Sequence, residues 1–335
     1  MTDETGAVTT YGYDKMARLT SAAVGTVTDS WTYDANGNRL TAAKTGAATT
    51  YYAYNAADQL CWTGSAAGTC TAPPAGAATY TYDANGNNTK SGTPTSIWNA
   101  FNQMTSHTRS TTALPFTYAG PSNTERTSAG TTTFVNGLLG LTRQTSGTST
   151  TSFVREPDGT LVSMTNSAGT FYYTADALKS TIALTDSAQA KSATYTYDSW
   201  GRTTGTGAQA GTNRFQYLGE YKDAATALNK FGARYYDATT GRFTQPDPSN
   251  QEANRYAYAE CNPINRSDPS GLVTVDCGFA AFAIAGAGVG FILSAGAILA
   301  AAATNQVLLF PAIKLAEYFG GMVVAGLAAN ETCNN

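Results

Sequence analysis

Charge is scarce in this sequence: Asp, Glu, Lys and Arg make up 13% of its 335 residues, and the net charge is −3. With no basic cluster there is no electrostatic footprint for nucleic acid, so no nucleic-acid partner is expected. A single histidine, His107, and the absence of a Cys-x-x-Cys pair argue against a zinc site. His107 also lacks a Ser or Cys motif that would complete a hydrolytic triad. No Gly-rich loop follows a strand and opens a helix, so nucleotide binding is not expected and no cofactor or metal is called for. The opening Met1-Thr-Asp-Glu-Thr-Gly6 has neither the basic start nor the apolar stretch of a secretory signal. The chain reads as starting inside a repeat array, as the C-terminal part of something longer.

What is abundant is Tyr, Thr, Ala and Gly, and Tyr (20) outnumbers Phe (13). That balance suits a broad β surface with hydroxyl-bearing faces. A repeat is visible at once. Tyr11-Gly-Tyr-Asp-Lys-Met-Ala-Arg-Leu19 is followed by Trp31-Thr-Tyr-Asp-Ala-Asn-Gly-Asn-Arg-Leu40, Tyr52-Ala-Tyr-Asn-Ala-Ala-Asp-Gln-Leu60 and Tyr80-Thr-Tyr-Asp-Ala-Asn-Gly-Asn87. Weaker copies begin at Trp98, Phe153 and Tyr195, and Tyr13, Tyr33 and Tyr54 are spaced by about 20 residues. Each copy carries a hairpin instruction. Tyr-x-Tyr supplies a strand with aromatics on one face, and Asn36-Gly37 and Asn85-Gly86 supply positive φ for a tight turn. Asp34 and Asp83 are placed to hydrogen-bond the turn backbone. Thr/Ser/Gly/Ala-rich stretches such as 42–50, 64–78 and 142–152 read as loops or edge strands.

Residues 214–272 organise the rest. They contain Phe231-Gly-Ala-Arg-Tyr-Tyr-Asp237, Thr240-Gly-Arg-Phe-Thr-Gln-Pro-Asp-Pro248, Asn254-Arg-Tyr-Ala-Tyr258 and Asn262-Pro-Ile-Asn-Arg-Ser-Asp-Pro-Ser-Gly-Leu272. Short apolar strands broken by turns cannot close a core alone, so they must pack on the repeats. This stretch resembles the Rhs repeat-associated core, and the copies before it resemble the YD repeat. Both occur in Rhs polymorphic toxins, in insecticidal toxin-complex cocoon subunits and, more distantly, in teneurins. The resemblance implies a mainly β fold, with YD-repeat hairpins forming part of a spiral β-sheet shell. A closed shell takes many more repeats than this chain carries. The expected division is repeats over 1–213, core over 214–272 and a variable C-terminal region over 273–335.

Two carboxylates, Asp247 and Asp268, each open an Asp-Pro step. Aspartates forced together share a proton, so that one serves as general acid and the other as general base. The resemblance implies that they are a self-cleavage dyad acting after Asp268-Pro-Ser-Gly-Leu272, at the Leu272–Val273 bond. The plainer reading is that both merely cap turns. Arg242 and Arg255 are candidates to support the dyad, whereas Arg234, Tyr235 and Tyr236 read as core packing.

The tail differs in kind. From 279 to 303 there are 25 residues without a charge. As a helix they would run roughly 37 Å, longer than the ~30 Å hydrocarbon core of a bilayer. A second apolar segment at 307–329 carries Pro311, Lys314 and Glu317. An apolar α-helical hairpin is expected, with Cys277 and Cys333 brought together at its open end. Cys61 and Cys70 bracket a small-residue loop. Two disulfides, Cys61–Cys70 and Cys277–Cys333, are favoured over five buried thiols and suit an exported protein. Gly286-x-x-x-Gly290 suits close helix approach in a membrane. The expected function is therefore part of a secreted or cell-surface polymorphic toxin. Its shell would hold its own membrane-active C-terminal effector as cargo, with an immunity protein as a further partner. The alternative is a YD-repeat adhesion or structural protein, and a soluble hydrolase is the weakest reading.

Overall fold

A computed structural model describes residues 6–121, 124–250 and 252–276. Twenty strands, from Thr9–Tyr13 to Thr203–Thr206, form one sheet in which each pairs antiparallel with the next in sequence. Nothing longer than three residues is helical among the described residues. None of them forms a helix long and apolar enough to cross a membrane. The expected helical hairpin, with Cys277, Cys333 and both apolar segments, lies outside the described residues.

Each repeat is built by two side chains. The first is the turn acid. Asp34 Oδ1 accepts from the backbone N–H of Asn36 and Asn38 at 2.9 and 2.8 Å, and Asp34 Oδ2 accepts from Asn38 Nδ2 at 2.9 Å. The backbone closes the loop as Asp34 N–H donates to the Asn38 carbonyl at 2.9 Å. Asp83, Asn85 and Asn87 repeat this arrangement at the next Asn-Gly step. Only the glycine of each step has positive φ, 81° at Gly37 and 85° at Gly86. The turn is therefore an Asp-anchored five-residue loop, with the aspartate bonding the turn backbone as expected and the glycine supplying the positive φ. The same closure recurs where the signature is weaker, at Asn55, Asn99, Glu156 and Asp198. It also recurs at Asp176 and Asp186, which carry no Tyr-x-Tyr signal.

The second is the tyrosine that ends the strand before the turn. Tyr33 Oη donates to the Leu19 carbonyl at 2.6 Å, Tyr54 to Arg39 at 3.0 Å, Tyr118 to Met104 at 3.1 Å and Tyr197 to Thr181 at 2.6 Å. Each hydroxyl thus ties its hairpin to the start of the strand after the preceding turn. Such a bond contributes about 0.5–1.5 kcal/mol net, which favours Tyr over Phe at this position. Cys61 and Cys70 are disulfide-bonded across the loop after Leu60–Gly64. Cys261 is a buried free thiol.

The segment after the repeats forms a small four-stranded antiparallel sheet: Tyr221–Lys222, Asn229–Phe231, Arg234–Asp237 and Arg242–Phe243. Phe231, Tyr235, Tyr236 and Tyr258 are wholly buried in it. This plug is fastened to the repeats at turns and at strand ends, where Asn88 N–H donates to the Thr244 carbonyl at 2.8 Å. Arg242 donates to Asn38 Oδ1 at 2.9 Å and to the Asp58 carbonyl at 2.6 Å, and Tyr256 Oη donates to the Gly86 carbonyl at 2.7 Å. Tyr236 Oη reaches the Trp200 carbonyl at 2.8 Å, and Tyr235 Oη lies 3.0 Å from Tyr118 Oη. Asn38 does two jobs, closing its own loop and receiving Arg242 and Asn254 of the plug on its Oδ1.

Candidate functional site

Asp268 is fully buried. Its Oδ2 is 2.7 Å from Arg234 Nη2. The Arg234 guanidinium also donates to the Gly271 carbonyl at 2.6 Å and the Arg255 carbonyl at 3.2 Å, and lies 3.5 Å from the centre of the Phe243 ring. A cation this deeply buried needs a charged partner and full hydrogen bonding, and Arg234 has them. The other oxygen, Asp268 Oδ1, accepts from the N–H of Leu272 at 3.0 Å and of Val273 at 3.1 Å, and from Ser270 Oγ at 3.1 Å.

Asp247 is equally buried. Its Oδ1 accepts from Ser249 N–H at 2.8 Å, and its two oxygens lie 2.8 and 2.7 Å from Ser249 Oγ. Ser249 Oγ in turn donates to the Leu272 carbonyl at 2.9 Å. One peptide unit is therefore held at both ends. Asp268 receives the N–H of Leu272–Val273, and Asp247, through Ser249, reaches its carbonyl oxygen.

Local geometry explains the motif. Gly271 has φ 65°, and a Cβ there would come within 2.4 Å of the Phe231 carbonyl oxygen and 2.9 Å of the Arg234 nitrogen. Only glycine lets the chain pass over the 231–234 turn and bring Leu272 back onto Asp268. Beyond the bond, Val275–Asp276 pairs antiparallel with Arg266–Ser267. Arg266 Nε lies 2.9 Å from Asp276 Oδ1.

Glu252 completes an acidic group around Arg234. Its carboxyl accepts from Thr274 Oγ1. Burial pushes its pKa up to about 7, with Asp268 and Asp247 adding to the rise and the Thr274 hydroxyl and Arg234 opposing it. Glu220 rises to about 8 for the same main reason, burial, with Asp268 again contributing. Burial pulls Lys230 down to about 7.

Arg255 donates to the Asp247 carbonyl at 3.2 Å, so the support it gives runs through the backbone. Arg242, expected beside the aspartates, instead pins the plug to the repeats, because its guanidinium is committed to Asn38 and Asp58. The arginine on the acid is Arg234, expected only as packing. Its strand neighbours are aromatic, which hid a charge whose partner lies 34 residues on. Ser249 and Glu252 were missed as well. The signal available was the duplicated tripeptide Asp247-Pro-Ser249 and Asp268-Pro-Ser270. Among the described residues no three His, Cys, Asp or Glu side chains converge as metal ligands.

Serial hairpins in one large antiparallel sheet, fastened onto a buried core segment, fit the architecture of a β-shell. A sequence model of the teneurin YD-shell family matches residues 143–264, running across the 213/214 boundary expected from the sequence. The chain is 32% identical over 281 residues to the tRNA3(Ser)-specific nuclease WapA of Bacillus spizizenii, covering 77% of this chain and 12% of that one. It is 31% identical over the same length to the tRNA nuclease WapA of Bacillus subtilis, with the same coverage. In three dimensions it resembles the Photorhabdus luminescens Tc holotoxin pore, with a TM-score of 0.61, 17% identity, and coverage of 80% of this chain and 15% of that one. The chain belongs to the Rhs/YD-repeat proteins. It spans 12% of the length of the curated relatives it matches.

Proposed function

We propose that this chain is the C-terminal part of a secreted Rhs-type polymorphic toxin. In this reading residues 1–213 contribute repeats to a spiral shell, 214–272 plug it, and 273–335 are its cargo. The cargo is freed by hydrolysis of the Leu272–Val273 bond, with Asp247 and Asp268 as the acid–base pair. The observation that carries this reading is that both buried aspartates address the same peptide bond, one at each end of its dipole. A turn cap needs only the backbone N–H groups of its own turn. Relatives whose names describe tRNA nucleases support a cargo-bearing shell, but the low charge of 273–335 does not suit a nuclease. The uncharged run from 279 to 303 favours action on a membrane, with an immunity protein protecting the producer.

The test is to purify the full chain and sequence the N-termini of its fragments. A fragment starting at Val273 in the parent, absent from Asp268→Asn and Asp247→Asn, supports the reading. If all three remain intact, or all three are cut alike, the dyad is lost. The chain is then better taken as a YD-repeat adhesion or structural surface, which has no use for freeing its tail.

A further inference from the structure

We infer that Ser249 is a catalytic residue of this cleavage, carrying a proton from Asp247 to the carbonyl oxygen of Leu272. The inference rests on the self-cleavage reading and adds a third group to it.

The two Asp-Pro-Ser turns are chemically alike, yet their serines do different things. In the second turn Ser270 Oγ donates to its own aspartate at 3.1 Å and accepts from Leu272 N–H at 3.1 Å, so it closes a turn. In the first, Ser249 Oγ leaves its turn and reaches a carbonyl 23 residues away while staying within 2.8 Å of both Asp247 oxygens. A hydroxyl has one proton and two lone pairs. When Asp247 carries the proton, as the acid of the pair, one arrangement satisfies both neighbours: the carboxyl O–H donates to Oγ, and the Oγ–H donates to Leu272 O. That arrangement is a relay aimed at the atom on which negative charge develops when the carbonyl carbon is attacked.

The step balances with one water. Water adds to the Leu272 carbonyl carbon and gives a proton to Asp268. The carbonyl oxygen takes the Ser249 proton, and Ser249 takes that of Asp247. When the tetrahedral centre collapses, the oxygen returns its proton along the same path. Asp268, already 3.1 Å from Val273 N, protonates the leaving nitrogen. The C–N bond breaks, leaving a carboxyl on Leu272 and an amine on Val273. Both aspartates end as they began.

The experiment follows the fragment starting at Val273 in the full chain over time, by intact mass, for the parent, Ser249→Ala, Ser249→Thr and Asp268→Asn. Removing one donor to a developing oxyanion costs about a hundredfold or more in rate. Ser249→Ala is expected to be slowed to that degree and Ser249→Thr to recover most of the rate, while Asp268→Asn gives no fragment. Folding is checked in the uncut background, where Ser249→Ala/Asp268→Asn should unfold at the same denaturant concentration as Asp268→Asn. If the parent is cut and Ser249→Ala keeps pace with it, the relay is wrong and the dyad stands. Equal slowing of the Ala and Thr variants assigns Ser249 to turn geometry and overturns the relay. An uncut parent removes the dyad and the relay together.

Discussion

Asp34 and Asp268 start turns of the same kind, each gathering backbone N–H groups onto one carboxylate. Their surroundings separate them. Asp34 sits at a hairpin tip and its partners belong to its own loop and side chains nearby. Asp268 is sealed from solvent, has a buried guanidinium on one oxygen, and holds on the other the N–H of a bond that leaves the turn. Turn chemistry in this chain is thus generic, and burial with a charged partner is what sets Asp268 apart as the candidate site.

The largest expected effect breaks the charged partner. Arg234→Met keeps most of the side-chain volume but leaves Asp268 a buried, uncompensated acid, at a cost of about 3–5 kcal/mol in guanidinium unfolding. A loss no larger than that of a tip aspartate would void the contrast. Next come the glycines. Gly37 and Gly271 both have positive φ, but a Cβ at Gly37 meets only Cys261 Sγ at 3.6 Å, whereas at Gly271 it meets backbone at 2.4 Å. Gly37→Ala should cost about 1–2 kcal/mol for the left-handed backbone alone. Gly271→Ala should cost clearly more and also abolish the Val273 fragment, by displacing Leu272 from both serines.

Asp34→Ala removes three hydrogen bonds at a tip, with an expected cost of about 1–2 kcal/mol and cleavage at the parental rate. Slowed cleavage would mean that the tips govern the site through Asn38 and Arg242. The last effect is in pH. The Glu252 pKa is about 7 in the fold against an ordinary 4.5, so the folded state holds its proton over a window where the unfolded chain has lost it. Its contribution to stability is fully present below about pH 4.5 and is lost as pH rises to about 7. Glu252→Gln should therefore differ from the parent by a stability gap that changes between pH 5 and 7 and is constant above. A gap flat across the whole window would place Glu252 outside the acidic group.

The fold was legible where one repeat carries its whole instruction locally. Tyr-x-Tyr and the acid after it lie within a few residues, so period and turn chemistry identify Asp34 and Asp83 directly. Asp176 and Asp186 escaped because threonine and alanine precede them and the turn survives on its acid alone. The Asn-Gly steps marked the tips, where only the glycine takes positive φ and the side-chain acceptor at Asp34 sets the loop. The candidate site was half legible. Asp247 and Asp268 stand out beside proline, but which arginine meets them depends on strand pairing across the plug. Arg234 and Arg242 have similar aromatic neighbours, and their roles part only when Asn38 arrives from the repeats. Ser249 was passed over for another reason: a serine two residues after an aspartate looks like ordinary turn punctuation even when the tripeptide is duplicated, and its reach to Leu272 is set by the fold.

The short ladder between Val275–Asp276 and Arg266–Ser267 bears on what happens after a cut. Severing the chain after Leu272 does not by itself let the new amino terminus go. It stays moored by a two-residue ladder and by the pair between Arg266 and Asp276, whose carboxylate is exposed to solvent. Such a mooring is weak and salt-sensitive. Under the proposed cleavage, scission and departure would then be separate events with separate clocks, the first set by chemistry sealed from solvent and the second by the medium outside.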